Sequence, residues 1–183
     1  MNPNIPQDLA LESLEQVPVV RATAPFYQEK CMACFDSRGH VSGVMLNVKF
    51  GESSRIFRVL WSGEVTEQVK RSHADLQDAV EFAACAITFL LVPVFTDMTT
   101  IRQASKGTTV DYYLAPQGGD DSLIFNDAAR LEVSGILSEN ESNSVEGRIG
   151  DKLRRLKPDP RRDIPTFISV VEFSQPWSKV VKT

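Results

Sequence analysis

The sequence predicts a mixed α/β (α+β) protein, in which an N-terminal antiparallel β-meander is joined to a mixed sheet flanked by helices. Two patterns indicate this fold. Strand-like aromatic and β-branched runs, separated by short Gly and Ser turns, follow one another over residues 26–66, as is typical of a meander. From residue 72 onward the pattern changes to the order helix, strand, strand, strand, helix, strand.

The domain organisation follows from length and composition. The chain has 183 residues, 42% of them hydrophobic and 24% charged, which is ordinary for one globular domain. Residues 1–25 hold four of the ten prolines and are expected to form an N-terminal arm, with a short helix over residues 8–16. Residues 26–183 then form the single domain, with a three-stranded meander at 26–66 and the core at 72–174.

The first core helix begins at a predicted capping box. In Ser72-His-Ala-Asp75 the serine would accept from a free backbone N–H while the aspartate reaches back to it. From Ala83 onward the segment is apolar nearly all round, which indicates a buried helix, and Pro93 bends or ends it.

Three short strands and a one-sided helix follow. The strands are TTIRQASK, TTVDYYLA and AARLEVSGIL, the helix is VEGRIGDKLRRL, and the apolar strand TFISVVEF closes the core. In the third strand the period of two places Arg130, Glu132 and Ser134 on one face. Polar side chains therefore point one way from a central strand.

The charge argues against a protein that coats nucleic acid. The net charge is −4 and the isoelectric point about 5.3, so any contact with DNA must be local. Seven of the twenty basic residues cluster within fifteen positions: they are Arg148, Lys152, Arg154, Arg155, Lys157, Arg161 and Arg162. This cluster is either a solvated helix face and loop or a local contact with DNA.

A cytoplasmic location without membrane contact is expected. The first residues show no basic segment followed by an apolar stretch. The longest apolar run, residues 83–95, is shorter than a membrane span. Three cysteines do not suggest a disulfide framework and fit reducing conditions.

The element order over residues 72–173 resembles the core of the PD-(D/E)XK phosphodiesterase superfamily, a restriction-endonuclease-like αβββαβ core. The resemblance implies metal-binding acids on the first helix, the second strand and the third strand. Here these are Glu81, Asp111 and Glu132. It further implies Mg²⁺ or Mn²⁺ as the cofactor, DNA as the substrate and a role in bacterial defence or genome maintenance. Hard cations of this kind prefer carboxylate oxygens, and they activate water beside a phosphate.

One residue departs from the superfamily pattern. Ser134 stands where the resemblance implies a catalytic lysine two residues after Glu132, and a serine cannot supply positive charge to orient water. Some members of the superfamily place the basic group on the following helix. Lys152 or Arg148 would then replace the lysine.

Two other interpretations stay open at this point. The departure at Ser134 and the acidic isoelectric point favour a catalytically inactive relative that serves as a protein-binding subunit of a larger complex. The third interpretation is an unrelated α/β module that binds protein. Each acid also has a structural explanation: Glu81 as a solvent-facing or capping carboxylate, Glu132 as a partner of Arg130 or of another neighbouring basic residue, and Asp111 as a paired strand residue.

A zinc site is a minor alternative. Cys31 and Cys34 form a CxxC pair, which His40 and His73 could complete. The pair lies in a predicted strand, where positions three apart point to opposite faces. Cys85, inside the apolar helix, is interpreted as a packing residue.

Overall fold

The computed structural model describes residues 5–118, 128–157 and 164–183. The strands of the described chain are β1 (Gln7–Ala10), β2 (Val44–Phe50), β3 (Ser53–Leu60), β4 (Met98–Gln103), β5 (Tyr112–Pro116), β6 (Ala129–Ile136), β7 (Thr166–Glu172) and β8 (Trp177–Lys182). The helices are α1 (Ala24–Ser37), α2 (Glu67–Ser72), α3 (Leu76–Phe95) and α4 (Val145–Arg155), with 3₁₀ turns at Leu11–Gln16 and Pro18–Val20.

All eight strands belong to one mixed sheet, in the order β1-β3-β2-β8-β7-β6-β5-β4. Strands β4, β5 and β6 are antiparallel neighbours, and β6 runs parallel to β7. The antiparallel pair β2–β3 joins this sheet because β2 runs parallel to β8. The predicted mixed α/β class is confirmed, and the N-terminal strands share one sheet with the core.

The predicted first strand of the meander is wrong, because residues 26–35 lie within helix α1. This segment contains no β-branched residue and is rich in Gln, Glu, Lys, Met and Ala, which favour helix. Pro25 lies in the first turn, where proline is tolerated. Gly39, with φ of 79°, follows the helix in the left-handed conformation that commonly ends helices.

The N-terminal segment is packed against the body of the protein. Strand β1 pairs in parallel with β3 along one edge of the sheet, and Leu11 and Leu14 in the following 3₁₀ turn are fully buried. The helix expected over residues 8–16 is thus a strand followed by a 3₁₀ turn.

The predicted order helix, strand, strand, strand, helix, strand is present as α3, β4, β5, β6, α4 and β7. Helix α3 supplies a run of buried side chains to the main core, together with Leu131 and Val133 of β6. A second, smaller core lies under α4: it comprises Ile136, Val145, Ile149, Ile168 and Val170. Alternating residues of β6 therefore face α3 and α4, as the period of two predicts.

Helix α3 is long and apolar enough to cross a membrane by length and composition. Residues 83–95 alone are shorter than a membrane span, but the helix begins earlier, at Leu76, and is therefore long enough. Within the protein, 67% of its most apolar window is buried. The same hydropathy is expected of a core helix that is covered on most sides.

The N-cap of helix α3 lies three residues after Ser72, the N-cap that the sequence predicts. Asp75 is the N-cap, and its carboxylate accepts from the backbone N–H groups of Gln77 and Asp78 at 3.0 and 3.1 Å. Ser72 instead ends the short helix α2. Aspartate caps a helix as well as serine does, so the spacing of the motif did not distinguish the two starts.

We therefore expect Asp75→Ala to lower the free energy of unfolding by about 1 kcal/mol, because two N–H groups of the first turn lose their acceptor. Urea unfolding measures the change. Ser72→Ala, an exposed position in α2, is the control and should change stability by less than about 0.5 kcal/mol. The reverse ranking of the two variants would return the cap to Ser72.

Candidate functional site

The candidate site lies where strand β5 stops pairing with β6. The β5–β6 ladder covers Leu114↔Ala129 to Tyr112↔Leu131, so the following residues of β6 have no β5 partner along that edge. Their backbone N–H groups need other acceptors. Two carboxylates supply them.

Asp111 and Glu81 are these two acceptors. Asp111, which immediately precedes β5 and does not lie within it, accepts from the backbone N–H of Val133 at 2.8 Å. Glu81 of α3 accepts from the N–H of Gly135 at 3.2 Å. Both acids therefore stabilise the open edge of β6, which is a structural role that the sequence did not indicate.

Glu132 projects from β6 on the face covered by α4. Its Oε1 accepts from Nζ of Lys152 at 2.5 Å, and the two side chains are only 17% and 21% exposed. Burial raises the pKa of Glu132 to about 7 although the Lys152 hydrogen bond lowers it, and the nearby Asp111 carboxylate adds to the rise. Asp111 and Glu132 are therefore close enough to repel one another.

Ser134 is buried on the same face as Glu132. Its hydroxyl accepts from Nη1 of Arg148 at 2.7 Å, and the same nitrogen reaches the Gly135 carbonyl at 2.8 Å and Glu81 Oε1 at 3.4 Å. Arg148 is further held by Asn143, whose Oδ1 accepts from Nε at 2.8 Å. The guanidinium thus links α4 to α3 around the edge of the sheet.

Lys152 and Arg148 reach β6 because of their spacing on α4. Residues four apart lie on the same face of a helix, so one turn of α4 presents both cations to the strand below. Arg148 meets Ser134, and Lys152 meets Glu132. Positive charge from α4 therefore stands beside both Ser134 and Glu132.

An open pocket of about 250 Å³ lies over this part of the sheet. Its walls combine Glu132 and Ser134 with the cations of α4: the lining residues are Thr109, Glu132, Ser134, Arg148, Asp151, Lys152 and Arg155. Cationic and hydroxyl groups of this kind can hold an anion such as a phosphate. Sequence reasoning missed Thr109 and Asp151. Asp151 could have been indicated by its helical spacing, since it lies three residues after Arg148 and four before Arg155.

The basic cluster of the sequence divides between the pocket and the surface. Arg148, Lys152 and Arg155 line the pocket, whereas Arg154 pairs with Asp151 and is mainly exposed. Glu132 does pair with a neighbouring basic residue, as its structural explanation predicts, but that residue is Lys152. The pairing with Arg130 is wrong, because Arg130 donates to the Lys157 carbonyl. Arg161 and Arg162 lie outside the described residues.

A magnesium site would rest on Asp111 and Glu132. Across residues 5–118, 128–157 and 164–183, no group of three or more His, Cys, Asp or Glu side chains is gathered to hold a metal ion. Mg²⁺ is compatible with a smaller set, since it keeps several waters and binds through one or two carboxylates plus substrate phosphates. Glu81, tied to Gly135 and Arg148, is not gathered with the other two acids.

The cysteine pair lies elsewhere and is fully buried in α1. Positions three apart share one face of a helix, so the sequence argument that placed Cys31 and Cys34 on opposite faces is wrong. Burial raises the pKa of the Cys34 thiol to about 12, which disfavours the thiolate that zinc requires. His40 and His73 bond instead to the Ser174 carbonyl and to Glu29.

Comparisons with known proteins found no matching family model, no matching curated protein and no matching solved structure.

Proposed function

We propose that this chain is a PD-(D/E)XK-like domain that binds Mg²⁺ or Mn²⁺ through Asp111 and Glu132 and hydrolyses a phosphodiester bond of DNA. The observation that carries the proposal is that these two acids, from the residue before β5 and from the middle of β6, are near enough for Asp111 to raise the pKa of Glu132, next to the cations of α4. Two neighbouring carboxylates beside positive charge are suited to a metal and a phosphate together.

The fold supports the finer assignment to a restriction-endonuclease-like core. Strands β4, β5, β6 and β7 are neighbours in the sheet, in chain order. Helix α3 precedes them and packs on the face of Leu131 and Val133, while α4 connects β6 to β7 over the opposite face. This arrangement agrees with the αβββαβ order on which the resemblance rests.

The cations of α4 supply what Ser134 lacks. Lys152 and Arg148 both reach the α4-facing side of β6, where the superfamily lysine would project. A bound divalent cation would activate a water molecule and neutralise charge developing on the phosphate. Lys152, with Arg155 at the pocket wall, would orient the phosphate oxygens and stabilise their negative charge. Arg148, which is held by four acceptors, would fix the position of α4 on β6.

DNA would be bound through this local positive charge, since the net charge of the chain is −4. Bacterial defence or genome maintenance in the cytoplasm is the context that the resemblance suggests.

The test is nicking of supercoiled plasmid and degradation of single-stranded DNA in the presence of MgCl₂ or MnCl₂. We expect metal-dependent cleavage by the wild type and a loss of about a hundredfold in Asp111→Ala and Glu132→Gln, because each variant removes one carboxylate of the metal pair. Mn²⁺ binding, followed by calorimetry, should fall in parallel.

The matched control is Glu146→Gln, which removes a carboxylate from the same helix α4, at an exposed position paired with Lys179. Its cleavage rate should equal that of the wild type. Equal rates in Asp111→Ala, Glu132→Gln and Glu146→Gln would show that any cleavage comes from another site or a contaminant, and would refute the proposal.

A second candidate function is that of a catalytically inactive relative that serves as a protein-binding subunit in a larger complex. The observation that favours it is that Glu132 and Glu81 are each already paired with a cation of α4, so that the site is neutralised without a metal. If the folded protein binds no Mn²⁺ and cleaves neither supercoiled plasmid nor single-stranded DNA, the result would support this second function or an unrelated protein-binding module.

A further inference from the structure

The ammonium group of Lys152 lies directly beside Glu132, one of the two acids of the proposed metal site. Its Nζ lies 2.5 Å from Glu132 Oε1. Both side chains are less than a quarter exposed, so the pair is weakly screened by water and salt. Lys152 is therefore the counter-ion of the Glu132 carboxylate.

A divalent cation at Glu132 and this ammonium group would repel one another, even if each used a different oxygen of the carboxylate. Two unit positive charges 4 Å apart repel by about 4 kcal/mol near a protein surface, and a divalent ion doubles the charge on one side. Asp111, the second acid of the pair, cannot offset two neighbouring cations on one face of the site. The ion pair of Lys152 and the binding of a metal at Glu132 therefore oppose one another.

The surroundings of Lys152 allow it to be the one that moves. Its side chain lines the open pocket of about 250 Å³, and lysine carries its charge on a flexible four-carbon stem. Arg148, one turn earlier, is tied to Asn143, Ser134, Gly135 and Glu81. The cation at Glu132 is thus the movable one, and the cation at Ser134 is the fixed one.

We infer that Lys152 competes with the divalent cation for Glu132 and leaves this carboxylate when the metal binds. The inference rests on the metal site of the proposed function. Lys152 is then the counter-ion of Glu132 in the metal-free protein, where it lowers the affinity for the metal. Once the metal is bound, the side chain of Lys152 moves into the phosphate pocket.

The first test is calorimetric titration of MnCl₂ into Lys152→Met at about pH 8.5, where the carboxylate is more readily ionised. We expect the affinity for Mn²⁺ to rise roughly tenfold over that of the wild type, within the usual range of coupling between two sites. Lys152→Gln should show the same direction, and circular dichroism checks that both variants are folded.

Lys179→Met is the matched control. Lys179 donates to Glu146 at the same 2.5 Å and is 26% exposed, but it is not among the residues that line the pocket. Its loss should leave the affinity for Mn²⁺ unchanged. An equal gain in Lys179→Met would point to overall charge and overturn the competition.

The second test follows Lys152 itself in the wild type. Acetylation by acetic anhydride, quantified by mass spectrometry, should increase several-fold at Lys152 when MnCl₂ is added and stay constant at Lys179. Unchanged or weaker Mn²⁺ binding by both Lys152 variants, with constant labelling, would refute the competition and leave the metal site intact. Absence of Mn²⁺ binding in the wild type and in every variant would refute the metal site as well.

Discussion

Replacement of Gly135 by alanine should lower the free energy of unfolding by about 3 kcal/mol. A Cβ atom at this position of β6 would lie 2.2 Å from the carbonyl oxygen of Val80 and 2.8 Å from its carbonyl carbon. These are backbone atoms of helix α3 and cannot rotate away. The helix must therefore move off the sheet, in a region where the two elements are packed through the main core.

The same substitution should disturb the candidate site. Glu81 follows Val80 on α3, and its bond to the Gly135 N–H and its contact with Arg148 depend on this close approach. Urea unfolding gives the loss of stability. Crystallography of Gly135→Ala should show α3 displaced from β6 near Val80.

Gly150→Ala is the control for Gly135→Ala. A Cβ on Gly150 of α4 would lie 3.4 Å from Nη1 of Arg154, the far end of a flexible side chain. Alanine is favoured over glycine inside a helix, so we expect this variant to gain about 0.5–1 kcal/mol. A loss of similar size in both variants would mean that the contact with Val80 is not the cause.

The sequence predicted the core more reliably than the N-terminal part, for a physical reason. In β6 the polar residues Arg130 and Glu132 alternate with the apolar residues Leu131 and Val133. This pattern favours a strand, because only a strand places the two kinds on opposite faces. In α1, residues 30–35 are all buried, so no polar face marks the helical period. The aromatic residues at both ends of the segment favour a strand, whereas the absence of β-branched residues favours a helix, and the structure follows the second signal.

The sequence named residues of the candidate site but did not indicate most of their contacts. Helical spacing is sufficient to place Arg148 and Lys152 on one side of α4, and the structure brings Lys152 to Glu132. The roles of Asp111 and Glu81 as acceptors for Val133 and Gly135 depend on where β5 leaves β6. That point is decided by strand pairing across the sheet, which no local pattern encodes.

Glu132 should make the stability of the metal-free protein depend on pH. Its pKa is raised from the ordinary value of 4.5 to about 7, chiefly by burial and also by Asp111. The folded protein then retains a proton that the unfolded chain releases. The resulting stabilisation is complete below about pH 4.5 and is lost as the pH rises through about 7. A rise of this size corresponds to about 3 kcal/mol.

We therefore expect the wild type, in EDTA, to lose about 3 kcal/mol of unfolding free energy between about pH 4.5 and 7 relative to Glu132→Gln. The glutamine carries no titrating proton and still offers Lys152 an oxygen to accept its hydrogen bond. Urea unfolding at a series of pH values measures the difference. Glu146→Gln, whose carboxylate is exposed, should keep the wild-type slope, and parallel curves for wild type and Glu132→Gln would contradict the prediction.

The same titration connects stability to the proposed chemistry. A carboxylate must be ionised to bind a metal, so metal binding is coupled to proton release. If Mn²⁺ binds Glu132, adding it should remove most of the loss of stability that the wild type shows as the pH rises. The same addition should have little effect on Glu132→Gln. Because this readout is stability, it separates a metal-binding but inactive protein from one whose Glu132 never binds metal.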